Sequence, residues 1–137
     1  MEPRLSFVTL VVRDLRKSRR FYIEGLGWPV EFEAAGEVVM VRVGDKVVLS
    51  LWQESAAAGE LGPIGRADSA LPFTLAHNVA TPAEVDRVLE EAAAAGATVV
   101  AAATARDWGG YSGYFADPDG FRWEVAHNPG PVGQSVL

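Results

Sequence analysis

Hydrophobic positions in this chain follow two rhythms, a period of two and a period near 3.6, and the pair of rhythms occurs twice in the same order. Residues 7–12 are apolar on both alternating sets, Phe7, Thr9 and Val11 against Val8, Leu10 and Val12, the pattern of a strand covered on both faces. Asp14 then reads as the N-cap of a helix carrying Leu15, Phe21, Tyr22 and Leu26 and ending at Gly25 or Gly27. Short strands are predicted at 29–34, 38–43 and 46–52, separated by Gly36 and by the hairpin-type turn Gly44-Asp45.

The second copy opens with a strand at 72–79. Thr81 caps a helix with Pro82 at its first position, and Val85, Val88, Leu89 and Ala92 recur at helical spacing up to Gly96. A strand at 99–103, a glycine-aromatic segment at 108–114, the turn Asp117-Pro118-Asp119-Gly120 and a strand at 121–127 complete it. Neither copy is long enough to close a core alone, so the two halves are expected to pack together with a cavity between them. The organisation read from this is one domain: module one at 5–53, a linker at 54–70 rich in alanine and glycine, module two at 71–128, and a loosely held tail at 129–137.

Composition narrows the function. With 137 residues the chain should bury roughly two-thirds of its unfolded surface without staples. The absence of cysteine excludes disulfides, thiolate ligands and a cysteine nucleophile, and suits a reducing, cytoplasmic setting. No apolar run approaches the about 18 residues of a membrane span, and a net charge of −6 argues against a nucleic-acid partner. The basic cluster Arg13, Arg16, Lys17, Arg19 and Arg20 is spread around the first helix and reads as a solvated face.

Three stretches carry a family resemblance. They are Val11-Val12-Arg13-Asp14-Leu15 with Ser18, Phe21-Tyr22 and Gly25-Leu26-Gly27; Asp86 through Gly96-Ala97; and, most specific, Gly113-Tyr114-Phe115-Ala116-Asp117-Pro118-Asp119-Gly120-Phe121-Arg122-Trp123-Glu124. In these the chain resembles the vicinal oxygen chelate superfamily, which includes glyoxalase I, extradiol dioxygenases, bleomycin-resistance proteins and fosfomycin-resistance enzymes. The resemblance implies an α+β fold of two tandem βαβββ modules forming a curled mixed sheet around a central cavity, and often a homodimer. It also implies four metal-ligand positions, which fall here on Phe7, Ser50, Phe73 and Glu124. Phenylalanine has no lone pair and serine is a poor neutral ligand, so neither a metal nor another cofactor is expected.

Strand alternation points Phe7, Thr9, Val11, Val48, Ser50, Trp52, Phe73, Leu75, His77, Arg122 and Glu124 toward the cavity, joined by Trp108, Tyr111 and Tyr114. His127 falls on the face opposite Glu124. Such a mostly apolar and aromatic set suits a small molecule. Glu124 and His77 are the candidate proton acceptors; equally, His77 is a hydrogen-bonded pocket residue and Glu124 an ion-pair partner of Arg122. Three functions follow. The first is a metal-independent binding protein of the bleomycin-resistance type that sequesters an aromatic or cationic ligand. The second is a metal-free lyase or isomerase using Glu124 or His77 as general base, and the third a metal-dependent glyoxalase or dioxygenase with relocated ligands.

Overall fold

The computed structural model describes residues 1–65 and 71–137. Residues 66–70 of the expected linker lie outside the described residues. Two units divide the chain, Met1–Arg66 and Ala67–Leu137, and each holds one four-stranded mixed sheet. The tandem βαβββ modules are therefore present, as two sheets.

In the first unit β1 (Phe7–Val12) leads through α1 (Leu15–Arg19) and a π-helical turn (Arg20–Gly25) to β2 (Phe32–Ala34), β3 (Val38–Gly44) and β4 (Val47–Gln53). The sheet order is β1-β4-β3-β2, with β1 parallel to β4 and the other pairs antiparallel. Leu10, Val12, Val39, Val41, Leu49 and Leu51 share one face and are buried, as are Leu15, Phe21 and Tyr22 of the helical segment, which packs on β3 and β4. Asp14 caps α1 through its carboxylate, which accepts from the amides of Arg16 and Lys17. Gln53 ties the end of β4 to the same helix: its Oε1 accepts from Leu15 N and its Nε2 donates to the Arg13 carbonyl, both at 3.0 Å.

The alanine-rich stretch after β4, expected as linker, begins with a helix, α2 (Glu54–Leu61). Alanine is the strongest helix former, and Ala57 is fully buried where α2 packs on β4 and β1. Composition alone had hidden this, because the helix is short and buries one small side chain.

The second unit runs β5 (Leu75–Asn78), α3 (Pro82–Ala95), β6 (Thr98–Ala105), β7 (Tyr111–Ala116) and β8 (Arg122–His127), in sheet order β5-β8-β7-β6. Thr81 and Glu84 form a reciprocal capping box, Pro82 starts the helix, and Gly96 ends it at φ +108°. Val85, Leu89 and Ala92 are the buried stripe of α3, which packs on β6, β7 and β8. Gly113 lets that packing happen. A Cβ there would lie 2.6 Å from Leu89 Cδ1 and 2.8 Å from Ala103 N. The tail, expected to be loose, carries α4 (Pro131–Gln134), pinned by Gln134 Nε2 donating to the Asn128 carbonyl at 2.8 Å and by Gly133 seated against Asn128.

Gly113→Ala should therefore destabilise the protein by about 1–3 kcal/mol through overpacking. Gly59→Ala, at an exposed position of α2 with nothing within 4 Å of the new methyl, should stabilise it by roughly 0.5–1 kcal/mol. Urea unfolding midpoints check both signs.

Candidate functional site on the second sheet

The turn between β7 and β8 sets the geometry. Asp117 is buried, and its carboxylate accepts from Asp119 N at 3.0 Å and Phe121 N at 2.9 Å while its carbonyl accepts from Gly120 N at 3.0 Å. Gly120, at φ +92°, supplies the left-handed conformation the turn needs. From it the ladder counts off Ala116 opposite Arg122, Tyr114 opposite Glu124 and Ser112 opposite Ala126. Since Gly113 faces α3, alternation sends Ser112, Tyr114, Arg122 and Glu124 to the other face of the sheet.

Ser112, Tyr114 and Glu124 form a polar line with Arg106. Tyr114 Oη donates to Glu124 Oε1 at 2.7 Å. Arg106 donates from Nε to Ser112 Oγ and from Nη2 to the Ser112 carbonyl, both at 2.9 Å, and its guanidinium lies 5.7 Å from the centroid of the Tyr114 ring. The bond to Glu124, then burial and the carboxylate's charge, push the Tyr114 phenol above its ordinary value, with Arg106 and Ser112 pulling the other way. The carboxylate thus faces a phenol held in its neutral form.

Beside this line lies a cavity of about 660 Å³. Its walls are the apolar Leu71, Phe73, Val99, Val100 and Ala101; three hydroxyls come from Thr74, Thr98 and Tyr114, and one charge from Arg122. A second hollow of about 400 Å³ in the first unit surrounds the start of α1. There Arg19 is already bound to Glu24 and Glu33, and Asp14 is engaged as the cap.

Several expected positions move. β5 and β8 run in parallel register with Leu75 beside Trp123, Ala76 beside Glu124 and His77 beside Val125. Leu75 and His77 consequently lie on the face opposite Glu124, and no His77–Glu124 pair forms. His77 is held below its ordinary pKa first by burial and then by Arg87 of α3, with Glu91 opposing. The error was one of counting from the wrong mark: Phe7 precedes its helix cap Asp14 by the interval that separates Thr74, not Phe73, from Thr81. Thr74 Oγ1 donates to the Arg122 carbonyl at 3.0 Å, while Phe73 lies against Phe121 with ring centroids 6.0 Å apart.

Tyr111 also belongs to the helix face, where its hydroxyl donates to Asp86 at 3.0 Å, the main cause of its raised pKa. Trp108 folds its ring over Gly110 in the β6–β7 turn, filling the space a side chain there would need. His127 pairs with Tyr111 on the helix side, as expected of the face opposite Glu124, and its Nδ1 is buried with no hydrogen-bond partner among the described residues. No ion pair joins Arg122 to Glu124 among the described residues. In the first unit Phe7 lies beside Val48, Thr9 beside Ser50 and Val11 beside Trp52, all on the face away from α1; Phe7 is 52% exposed and Ser50 is buried.

A divalent transition metal does not fit these residues. The first unit offers Phe7 and Ser50 at the relevant strand positions and the second offers Thr74 and Glu124, one carboxylate in all and that one bonded to Tyr114. Among the described residues no three or more His, Asp or Glu side chains gather in one place.

Two tandem βαβββ units, each a mixed sheet with helices on one face and a polar and aromatic opposite face, define the glyoxalase-like class of folds. The family model described as Glyoxalase/Bleomycin resistance protein/Dioxygenase superfamily matches residues 4–125, and the chain belongs to that family. A glyoxalase-related enzyme from Fulvimarina pelagi is 35% identical over 93% of this chain and 89% of its own, with a TM-score of 0.83. A glyoxalase/bleomycin resistance protein/dioxygenase from Nocardioides is 25% identical over 95% and 89%, at 0.77. A lactoylglutathione lyase from Agrobacterium tumefaciens, 22% identical over 93% and 96%, shares the fold at 0.71. No curated protein sequence matches the chain.

Because folding raises the Tyr114 pKa, the stability this gives is full below pH about 10, the unfolded value, and is lost as pH rises through the folded one. Tyr114→Phe should therefore flatten the decline of stability above pH 10. Urea midpoints from pH 8 to 11, with phenolate absorbance followed in parallel, check it.

Proposed function

We propose that this protein binds a small molecule without a metal, in the manner of the bleomycin-resistance branch of its family, and that the ligand rests in the cavity beside Tyr114. The observation that carries this reading is the cavity itself: about 660 Å³, a size suited to a drug-sized molecule, with mostly apolar walls and a few hydroxyls to fix orientation. The donor set argues the same way, since the strand positions that would hold a metal carry a phenyl ring, two hydroxyls and one engaged carboxylate. A cytoplasmic homodimer is the setting we assign; the exposed rings of Phe7 and Phe32, at 52% and 53%, support a further copy covering the first sheet.

A second reading is favoured by one contact. Glu124, with its oxygen 2.7 Å from the Tyr114 hydroxyl, has the arrangement of a base beside a neutral phenol, and the Fulvimarina pelagi relative is called an enzyme. In this reading Glu124 accepts a substrate proton while Tyr114 stabilises the charge that develops. His77 has no part in it.

The test is amide chemical-shift mapping with 2-naphthalenemethanol, a neutral aromatic probe, with and without EDTA. Shifts at residues 98–101 and at Tyr114, unchanged by EDTA and abolished by Ala101→Trp, are the expected result. Loss of binding on chelation would overturn metal independence, and shifts elsewhere would overturn the site. Once a substrate is known, Glu124→Gln should lower kcat at least about 100-fold if the second reading holds.

A further inference from the structure

We infer that the ligand of this cavity is an amphipathic anion, an aromatic or aliphatic group bearing a carboxylate, with its charge on Arg122. The inference rests on the binding reading above and adds the ligand's charge to it.

Arg122 is the one charged side chain lining the cavity among the described residues. Other arginines of this chain are engaged: Arg19 by Glu24 and Glu33, Arg42 by Glu31, Arg87 by Glu91, Arg106 by Ser112. No ion pair or side-chain hydrogen bond to the Arg122 guanidinium occurs among the described residues, although the side chain is half-buried. A partly desolvated guanidinium whose donors are unengaged among the described residues is matched in geometry by a carboxylate.

The surroundings complete the match. Along the ladder Arg122 stands opposite Ala116, which stands opposite Thr98, so a methyl group separates the guanidinium from a hydroxyl two strands away. That leaves a shallow floor with a positive end and a hydrogen-bonding end. Phe73, Val99 and Val100 supply the apolar wall for the ligand's body.

The net charge of −6 favours cations at long range. At contact the balance reverses, because charges beyond about 8 Å are screened at physiological salt. Glu124, one pleat along β8, is nearer than that, but its carboxylate is turned to the Tyr114 hydroxyl and does not line the cavity. A cation would meet Arg122 first.

The experiment uses one ring with three charges: 2-naphthoate, 2-naphthalenemethanol and 2-naphthylmethylammonium, titrated calorimetrically into the full chain and into Arg122→Met. Naphthoate should bind the unmodified protein at least about tenfold tighter than the alcohol, with the ammonium weakest. Arg122→Met should bring naphthoate's affinity to within about twofold of the alcohol's in the same variant. Equal affinities for naphthoate and alcohol, tightest binding by the ammonium, or a preference that survives Arg122→Met would overturn the inference while leaving the binding reading intact. Failure of all three to bind would overturn both. The comparison within the unmodified protein decides the matter even if the variant does not fold.

Discussion

The buried carboxylate of Asp117 is the constraint on which the second unit depends. By holding the amides of Asp119 and Phe121 it closes the turn at one length, and the turn length fixes which residues of β7 and β8 stand side by side. A strand's side chains alternate, so a shift of one residue would exchange the two faces of a strand. Gly113 and Phe115 would then lose α3, and Tyr114 would lose Glu124. Helix packing and the polar line on the open face are thus two readings of one register.

Much of this was legible in the sequence. Asp14, Thr81, Pro82 and Gly96 mark the helices through local chemistry that needs no tertiary partner, and Asp117-Pro118-Asp119-Gly120 announces its own turn. Strand ends were less legible. β2 and β5 begin three residues later than alternation suggested, after Pro29 and Pro72, which lack the amide a ladder requires. The helix at Glu54–Leu61 was missed because alanine and glycine are common to helices and linkers alike.

The two faces of β8 were legible and those of β5 misread. Counting from the β7–β8 turn pairs Tyr114 with Glu124, and that step needs only the turn type. On β5 no turn connects the strand to its parallel neighbour, so its register is set by the sheet, and Leu75 and His77 were placed on the wrong face. The helix cap was the available landmark. Arg106 and Ser112 were missed for a different reason: their bonds cross a hairpin whose length the glycines at 109 and 110 leave open.

The wall of the cavity formed by β6 has a different standing from the rest. It is the outer strand of its sheet, and Thr98, Val99, Val100 and Ala101 are exposed, so exchanges there disturb little of the hydrophobic interior. Arg122 and Tyr114 sit on inner strands, each paired on both sides. Substitution can therefore reshape this wall through four nearly cost-free positions while Arg122 and Tyr114 stay fixed, a division that lets one scaffold vary the contour of its open face without first being rebuilt.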